Sequence, residues 1–238
     1  MLKYLIESKN VFCCLFWCDG RRFLVSAIKR NFKIVNHSIQ SMNKNRLEAF
    51  SDGVLAIIIT IMVLELKVPK GSSWAELGTL IPVFFSYVLS FAYIGIYWGN
   101  HHHLLHSVRQ VSSGVMLSNL NLLFWLSLIP FATGWMGENH FAPNTVATYG
   151  MVLLLSGLAF FILLKAVERN SHNIDALRDA LANLNKKGIA STIGYFISIP
   201  LAYVSPVIPA VLFITVSIMW LIPDKNIEKA LKQEKKGN

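Results

Sequence analysis

Charge is scarce in this chain. Only 15% of its 238 residues are Asp, Glu, Lys or Arg, against roughly 25% in an ordinary soluble domain, while 54% are apolar and mean hydropathy is +0.49. That balance argues against a soluble globular fold and makes the lipid bilayer the expected solvent. Cysteine is scarcer still. Cys13, Cys14 and Cys18 lie together near the N-terminus, without metal-ligand spacing and without a second cluster to pair with, so a disulfide framework is not expected. Gly-rich phosphate loops, nucleophile elbows and paired intramembrane carboxylates are missing too, which leaves an enzyme without reacting groups. The formal charge of +9 does not point to nucleic acid, because the basic residues sit between apolar segments and not on one soluble face.

What is present is a series of apolar runs, at 47–66, 80–100, 114–136, 145–166, 188–204 and 206–223, each bounded by polar residues, Pro or Gly. About 20 such residues cross a ~30 Å hydrocarbon core, so the pattern predicts an all-α integral membrane bundle of six helices. Lys and Arg concentrate before residue 47, at Arg109, from Lys165 to Lys187 and from Lys225 to Lys236. The 67–79 loop has only Lys67 and Lys70, and the 137–144 loop and the turn near Pro206 have none. The positive-inside rule then puts both termini in the cytoplasm.

The chain divides accordingly into a cytoplasmic or interfacial segment over 1–42, a membrane domain over 43–223 and a basic tail over 224–238. The apolar stretch Val11 to Trp17 is too short for a span and reads as interfacial. Met42-Asn43-Lys44-Asn45 also makes a compact beginning just before the first clear helix, so residues 1–41 are read as a candidate start-site artefact. Between Glu168 and Lys187, Ile174, Leu177, Leu181 and Leu184 recur at helical spacing, which suits either an amphipathic helix near the membrane or a solvated linker. Pro200, Pro206 and Pro209 crowd the last junction and predict a kinked hairpin. The first helix has no internal repeat, so a rotationally symmetric pore requires several subunits.

The first run carries most of the functional information. Projected at 100° per residue, Ile57, Ile61 and Leu64 form one narrow aliphatic stripe, flanked by the small residues Ala49, Gly53, Ala56 and Thr60. Asp52 projects to another side, and a carboxylate in a membrane helix requires partners inside the bundle. The projection leaves two readings of the stripe open, pore lining and ordinary packing.

The order Arg46-x-x-x-Phe50-Ser51-Asp52 at the head of this helix resembles the R-x-x-x-F-S-D signature of the transmembrane protein 175 family. The end of the second run, Tyr97-Trp98-Gly99-Asn100-His101, looks like the W-x-x-H element of that family, and Asn119-Leu120 with Pro130 eleven residues after Asn119 looks like its N-L to P spacing. The resemblance covers residues 44–136. It implies a weakly selective, leak-like potassium channel without a Thr-Val-Gly-Tyr-Gly filter, assembled in one-unit members as a homotetramer around a central pore in the plasma membrane. Ile57, Ile61 and Leu64 would form the constriction and Thr60 a hydroxyl ring. Arg46, Phe50, Ser51, Asp52, Trp98, His101 and Asn119 would form the structural network that ties the pore helix to its neighbours. No cofactor is implied beyond the permeant potassium ion, and the resemblance also admits protons.

Four further features are weighed. His101, His102, His103 and His106 include helical i, i+3 and i, i+4 pairs of the zinc-binding kind, but no cysteine and few carboxylates accompany them, so no metal is expected. Glu65 is either a cation-concentrating carboxylate or a solvated interfacial charge. Trp125, Trp135 and Trp220 read as interfacial or lipid-facing aromatics. The competing function is a proton-coupled secondary transporter that uses Asp52 and His101 as a relay.

Overall fold

The computed structural model of the chain describes residues 44–106, 108, 111–170 and 174–221, without the side chains of 170–183. The expected N-terminal segment, with its cysteines, and the basic tail lie outside the described residues, as does Arg109. Every described element is helical: α1 (Lys44–Leu64), α2 (Trp74–Gly78), α3 (Ile81–His106), α4 (Ser113–Leu126), α5 (Ile129–Glu138), α6 (Pro143–Asn170), α7 (Ile174–Leu201) and α8 (Val207–Leu221).

Local chemistry explains most of the boundaries. Ser73 and Ser112 cap α2 and α4, their hydroxyls accepting from Glu76 N at 3.2 Å and Val115 N at 3.3 Å. The third apolar run is interrupted at Ser127 and Leu128, where Pro130 enters the first turn of α5 and leaves no N–H to orphan. The two pieces still form one stretch, Ser113–Glu138, long and apolar enough to span a membrane. At the end of α5 the chain reverses through two left-handed residues, His140 at φ 50° and Phe141 at φ 59°. Phe141 N donates to Met136 O at 3.0 Å and His140 N to Gly137 O at 3.2 Å, so the last carbonyls of the helix are satisfied.

Among the described residues, four helical stretches are long and apolar enough to cross a bilayer: Lys44–Leu64, Ile81–His106, Ser113–Glu138 and Pro143–Arg169. The expectation of six full spans is met only for these. α8 has 15 residues, a rise of about 22 Å, and α7 carries Asp175, Arg178, Asp179, Lys186 and Lys187 in its first half. The polar segment expected to lie apart from the fifth run is instead continuous with it in α7. Pro200 sits within the last turn of α7, and a turn over 202–204 leads to α8, so the chain makes a hairpin there as expected.

Two close helix crossings fix the packing. A Cβ added at Gly137 of α5 would come within 2.7 Å of Val83 Cα in α3, and one at Gly150 of α6 within 2.8 Å of Ser198 Oγ in α7. The interior between these crossings is aromatic and polar. The Ser90 hydroxyl lies 2.6 Å from that of Thr133 and 2.9 Å from that of Tyr149, and Tyr93 donates to the Phe213 carbonyl at 2.7 Å. Tyr149 packs edge-on against Phe213 at 5.3 Å. Each of these four buried hydroxyls thus has a partner.

Candidate functional site

α1 has two unlike faces. Leu47, Ser51, Leu55, Ile58 and Met62, at successive helical turns, are buried against α3, α4 and α5. The opposite face is open: Ile57 is 57% exposed, Ile61 42% and Leu64 78%. Beside them Ala49, Gly53, Ala56 and Thr60 are exposed too, and a Cβ added at Gly53 would meet nothing within 4 Å. The stripe is therefore not core packing within this chain. Thr60 donates its hydroxyl proton to the Ile57 carbonyl at 2.9 Å, which leaves the oxygen lone pairs as its outward-facing chemistry.

The residues expected in the structural network fall into two clusters and two singletons. In the first cluster, Asn119 Nδ2 donates to Ser51 Oγ at 2.9 Å, and Ser51 Oγ donates in turn to the Leu47 carbonyl at 2.8 Å. His101 Nε2 lies 2.6 Å from Asn119 Oδ1. An amide oxygen only accepts, so that ring nitrogen carries the proton. Ser51, His101 and Asn119 are all buried, and the directional chain clasps α3 and α4 to α1. In the second cluster, Trp98 Nε1 donates to Asp52 Oδ1 at 3.0 Å near the subunit surface, and the Trp98 ring stacks on His102 at 6.1 Å. Phe50 is 52% exposed and stands outside the core of the chain. Arg46 is exposed and makes no hydrogen bond or ion pair with the described residues. Asp52 and His101, the pair a proton relay would use, share no hydrogen bond and belong to different clusters.

The extra histidines gather at the end of α3. His102 lies 5.8 Å from His103 and 6.4 Å from His106, ring centroid to centroid, and Lys44 Nζ donates to the His106 carbonyl at 2.6 Å. Among the described residues no three His, Cys, Asp or Glu side chains form a set that could hold a metal ion.

At the far end of α1 an open groove of about 550 Å³ separates it from α5, with Ile57, Ile61, Glu65, Phe131, Trp135 and Glu138 among its lining residues. Trp135, expected at the membrane interface, forms part of this wall and stacks on Phe131 at 6.1 Å. Trp220 donates to Ser191 Oγ at 2.8 Å, beneath the Lys187 ammonium. Lys67 Nζ is paired with Glu138 Oε1 across the groove mouth, and this hydrogen bond, with the charge of Glu138 behind it, holds the Lys67 ammonium above the usual lysine range. Sequence reading did not find this pair, because two exposed charges 71 residues apart carry no local signal of their meeting.

Residues 46–130 match the model of a family described as the endosomal/lysosomal potassium channel TMEM175. A protein from Chryseobacterium sp. (strain P1-3), named a potassium channel, is 52% identical over 192 residues, which cover 81% of this chain and 100% of that protein. Another named a potassium channel, from Streptomyces collinus, is 37% identical over 69% of this chain and 85% of its own length. The crystal structure of a lysosomal potassium-selective channel TMEM175 homolog from Chamaesiphon minutus superposes with a TM-score of 0.68 at 26% identity, covering 75% of this chain and 96% of that one. With its membrane-spanning helices, its signature residues around α1 and a relative half identical over its whole length, this chain is a multi-pass membrane protein that belongs to the TMEM175 family.

Proposed function

We propose that the chain forms a weakly selective, leak-like potassium channel: a homotetramer whose α1 helices line a central pore. The observation that carries this reading is the open face of α1. In lipid there is no hydrophobic drive to cover Ile57, Ile61 and Leu64, but a face that also carries Gly53, Ala56 and Thr60 is built for close helix approach and not for acyl chains. Four copies meeting on that face put rings of Ile57, Ile61 and Leu64 around the axis. Such rings exclude water when they close, so they gate by dewetting and favour the ion that sheds its hydration more readily, potassium over sodium. Thr60 adds a ring of oxygen lone pairs beside them. Protons pass by the same route when the rings hydrate.

The apolar half of α7, from Gly188 to Leu201, pairs with α8 to complete six crossings, so that both termini lie in the cytoplasm and the channel serves the plasma membrane. The distribution of Lys and Arg supports that orientation. The buried clasp of Ser51, Asn119 and His101 is read as the support that holds the pore helix, with Trp98 and Asp52 as a second tie. Arg46 and Phe50, exposed on one subunit, would find their partners on a neighbour.

The test is potassium efflux from liposomes, native protein against Ile57→Asn. A polar ring hydrates the constriction, so the substitution should raise potassium flux and lower the preference over sodium. Native protein without flux, or flux indifferent to Ile57, would refute the pore.

A further inference from the structure

We propose that Glu65 is the cation-concentrating carboxylate at the far mouth of the pore, a permeation residue that acts through its field and not by holding an ion. The inference rests on the pore reading above and adds to it the electrostatics of one entrance.

Three observations carry it. First, Glu65 follows Ile57 and Ile61 at steps of four residues, and all three line the same groove between α1 and α5. Whatever space Ile57 and Ile61 face, Glu65 faces its end. Second, Glu65 is exposed and makes no hydrogen bond or ion pair with the described residues. The side chain stands over Gly134, where an added Cβ would lie 3.4 Å from Glu65 Oε2, so the missing side chain on α5 leaves the carboxylate room beside the groove. Third, the nearby cation is engaged mainly elsewhere and feels Glu65 only weakly and through space. Lys67 is bound to Glu138 by a hydrogen-bonded ion pair, and that pairing cancels both charges locally. The mouth formed by Glu65, Lys67 and Glu138 thus keeps one net negative charge per subunit, and it is Glu65 that supplies it.

Four such carboxylates around an axis attract potassium toward a constriction that offers it only aliphatic side chains. A field of this kind raises the local cation concentration and the entry rate, and added salt removes it, because the Debye length falls from about 30 Å at 0.01 M to about 3 Å at 1 M. The Lys67–Glu138 pair sets the size of the field: with Lys67 neutralised, Glu138 adds a second uncompensated charge at the same mouth.

Potassium efflux from liposomes at about 10 mM and about 1 M ionic strength, set with an impermeant organic cation, tests the proposal. Glu65→Gln should lower flux at low ionic strength by roughly three- to ten-fold and leave it near native at high ionic strength, the size expected for a few unit charges about 10 Å from the ion path in water. Lys67→Gln should raise flux at low ionic strength only, and it carries the test if Glu65→Gln fails to assemble. Glu65→Gln that matches native at both ionic strengths, or lowers flux equally at both, overturns the proposal, as does Lys67→Gln without a rise. Ile57→Asn is measured alongside. If it alters flux while the charge variants do not, the pore stands and Glu65 is only a solvated charge, whereas if it is silent too, the pore reading itself has failed.

Discussion

Replacing Asn119 by Ala should unfold the attachment of α1 more than any single hydrogen bond would suggest. Asn119 sits at the centre of the buried clasp, accepting from His101 Nε2 and donating to Ser51 Oγ. Its removal strands the buried His101 N–H, at about 1–3 kcal/mol for a buried donor left unmade. Ser51 is affected less, because its own donation to the Leu47 carbonyl survives and it loses one accepted bond of about 0.6 kcal/mol, the average for polar contacts between membrane helices. The sum is about 2–4 kcal/mol. For a chain of this size each kcal/mol lowers the melting temperature by about 2–4 °C, so thermal unfolding of the detergent-solubilised protein should shift by about 5–15 °C. Ser51→Ala leaves the buried Asn119 amide N–H without its acceptor in turn and should cost about 1–3 kcal/mol. The two substitutions should also be non-additive, with a coupling of at least about 0.5 kcal/mol. Strict additivity, or an Asn119→Ala variant as stable as native, would refute the clasp as the element that holds α1.

Three further predictions separate folding from assembly and strain from packing. Gly137→Ala would press a methyl group to within 2.6 Å of Ser86 Oγ and 2.7 Å of Val83 Cα, backbone that cannot step aside, so it should destabilise by about 1–3 kcal/mol in the same unfolding assay. Gly53→Ala meets nothing within the subunit and should leave its fold intact while weakening the oligomer, measured by native mass spectrometry. His140→Gly should raise the melting temperature, since a side chain at φ 50° costs about 1–2 kcal/mol in the left-handed region, and a fall would show that the imidazole contributes more than the backbone strain removes.

The chain shows unevenly which of these features a sequence can announce. The two faces of α1 were legible because helical period alone separates Ile57 and Ile61 from Ile58 and Met62. Resemblance supplied the residues of the clasp, but not its wiring: that Asn119 serves Ser51 and His101 while Trp98 serves Asp52 depends on how α3 and α4 are rotated, which no local pattern records. The break between α4 and α5 was hidden because a proline in the first turn of a helix interrupts no apolar run. The continuity of α7 was hidden for the opposite reason, since a polar amphipathic segment and an apolar span share one helical spacing. The left-handed pair His140 and Phe141 gave no warning, because neither left-handed position is Gly or Asn, and the Lys67–Glu138 pair is tertiary by nature.

The clasp also acts as a phase lock. Helices in lipid turn about their long axes at little cost when only aliphatic side chains are exchanged, and α1 presents Ile57, Ile58, Ile59 and Ile61 around much of its girth. Sliding the helix by one residue would rotate it by 100° and trade Ile57 for Ile58 with almost no change in hydrophobicity. What such a rotation would change is Ser51, the buried polar side chain of the inner face, which would swing away from Asn119 and leave that amide without its acceptor. A single hydroxyl thus decides which of several equivalent isoleucines stands on the open face of α1, because only the observed angular setting of the helix keeps Ser51 within reach of Asn119.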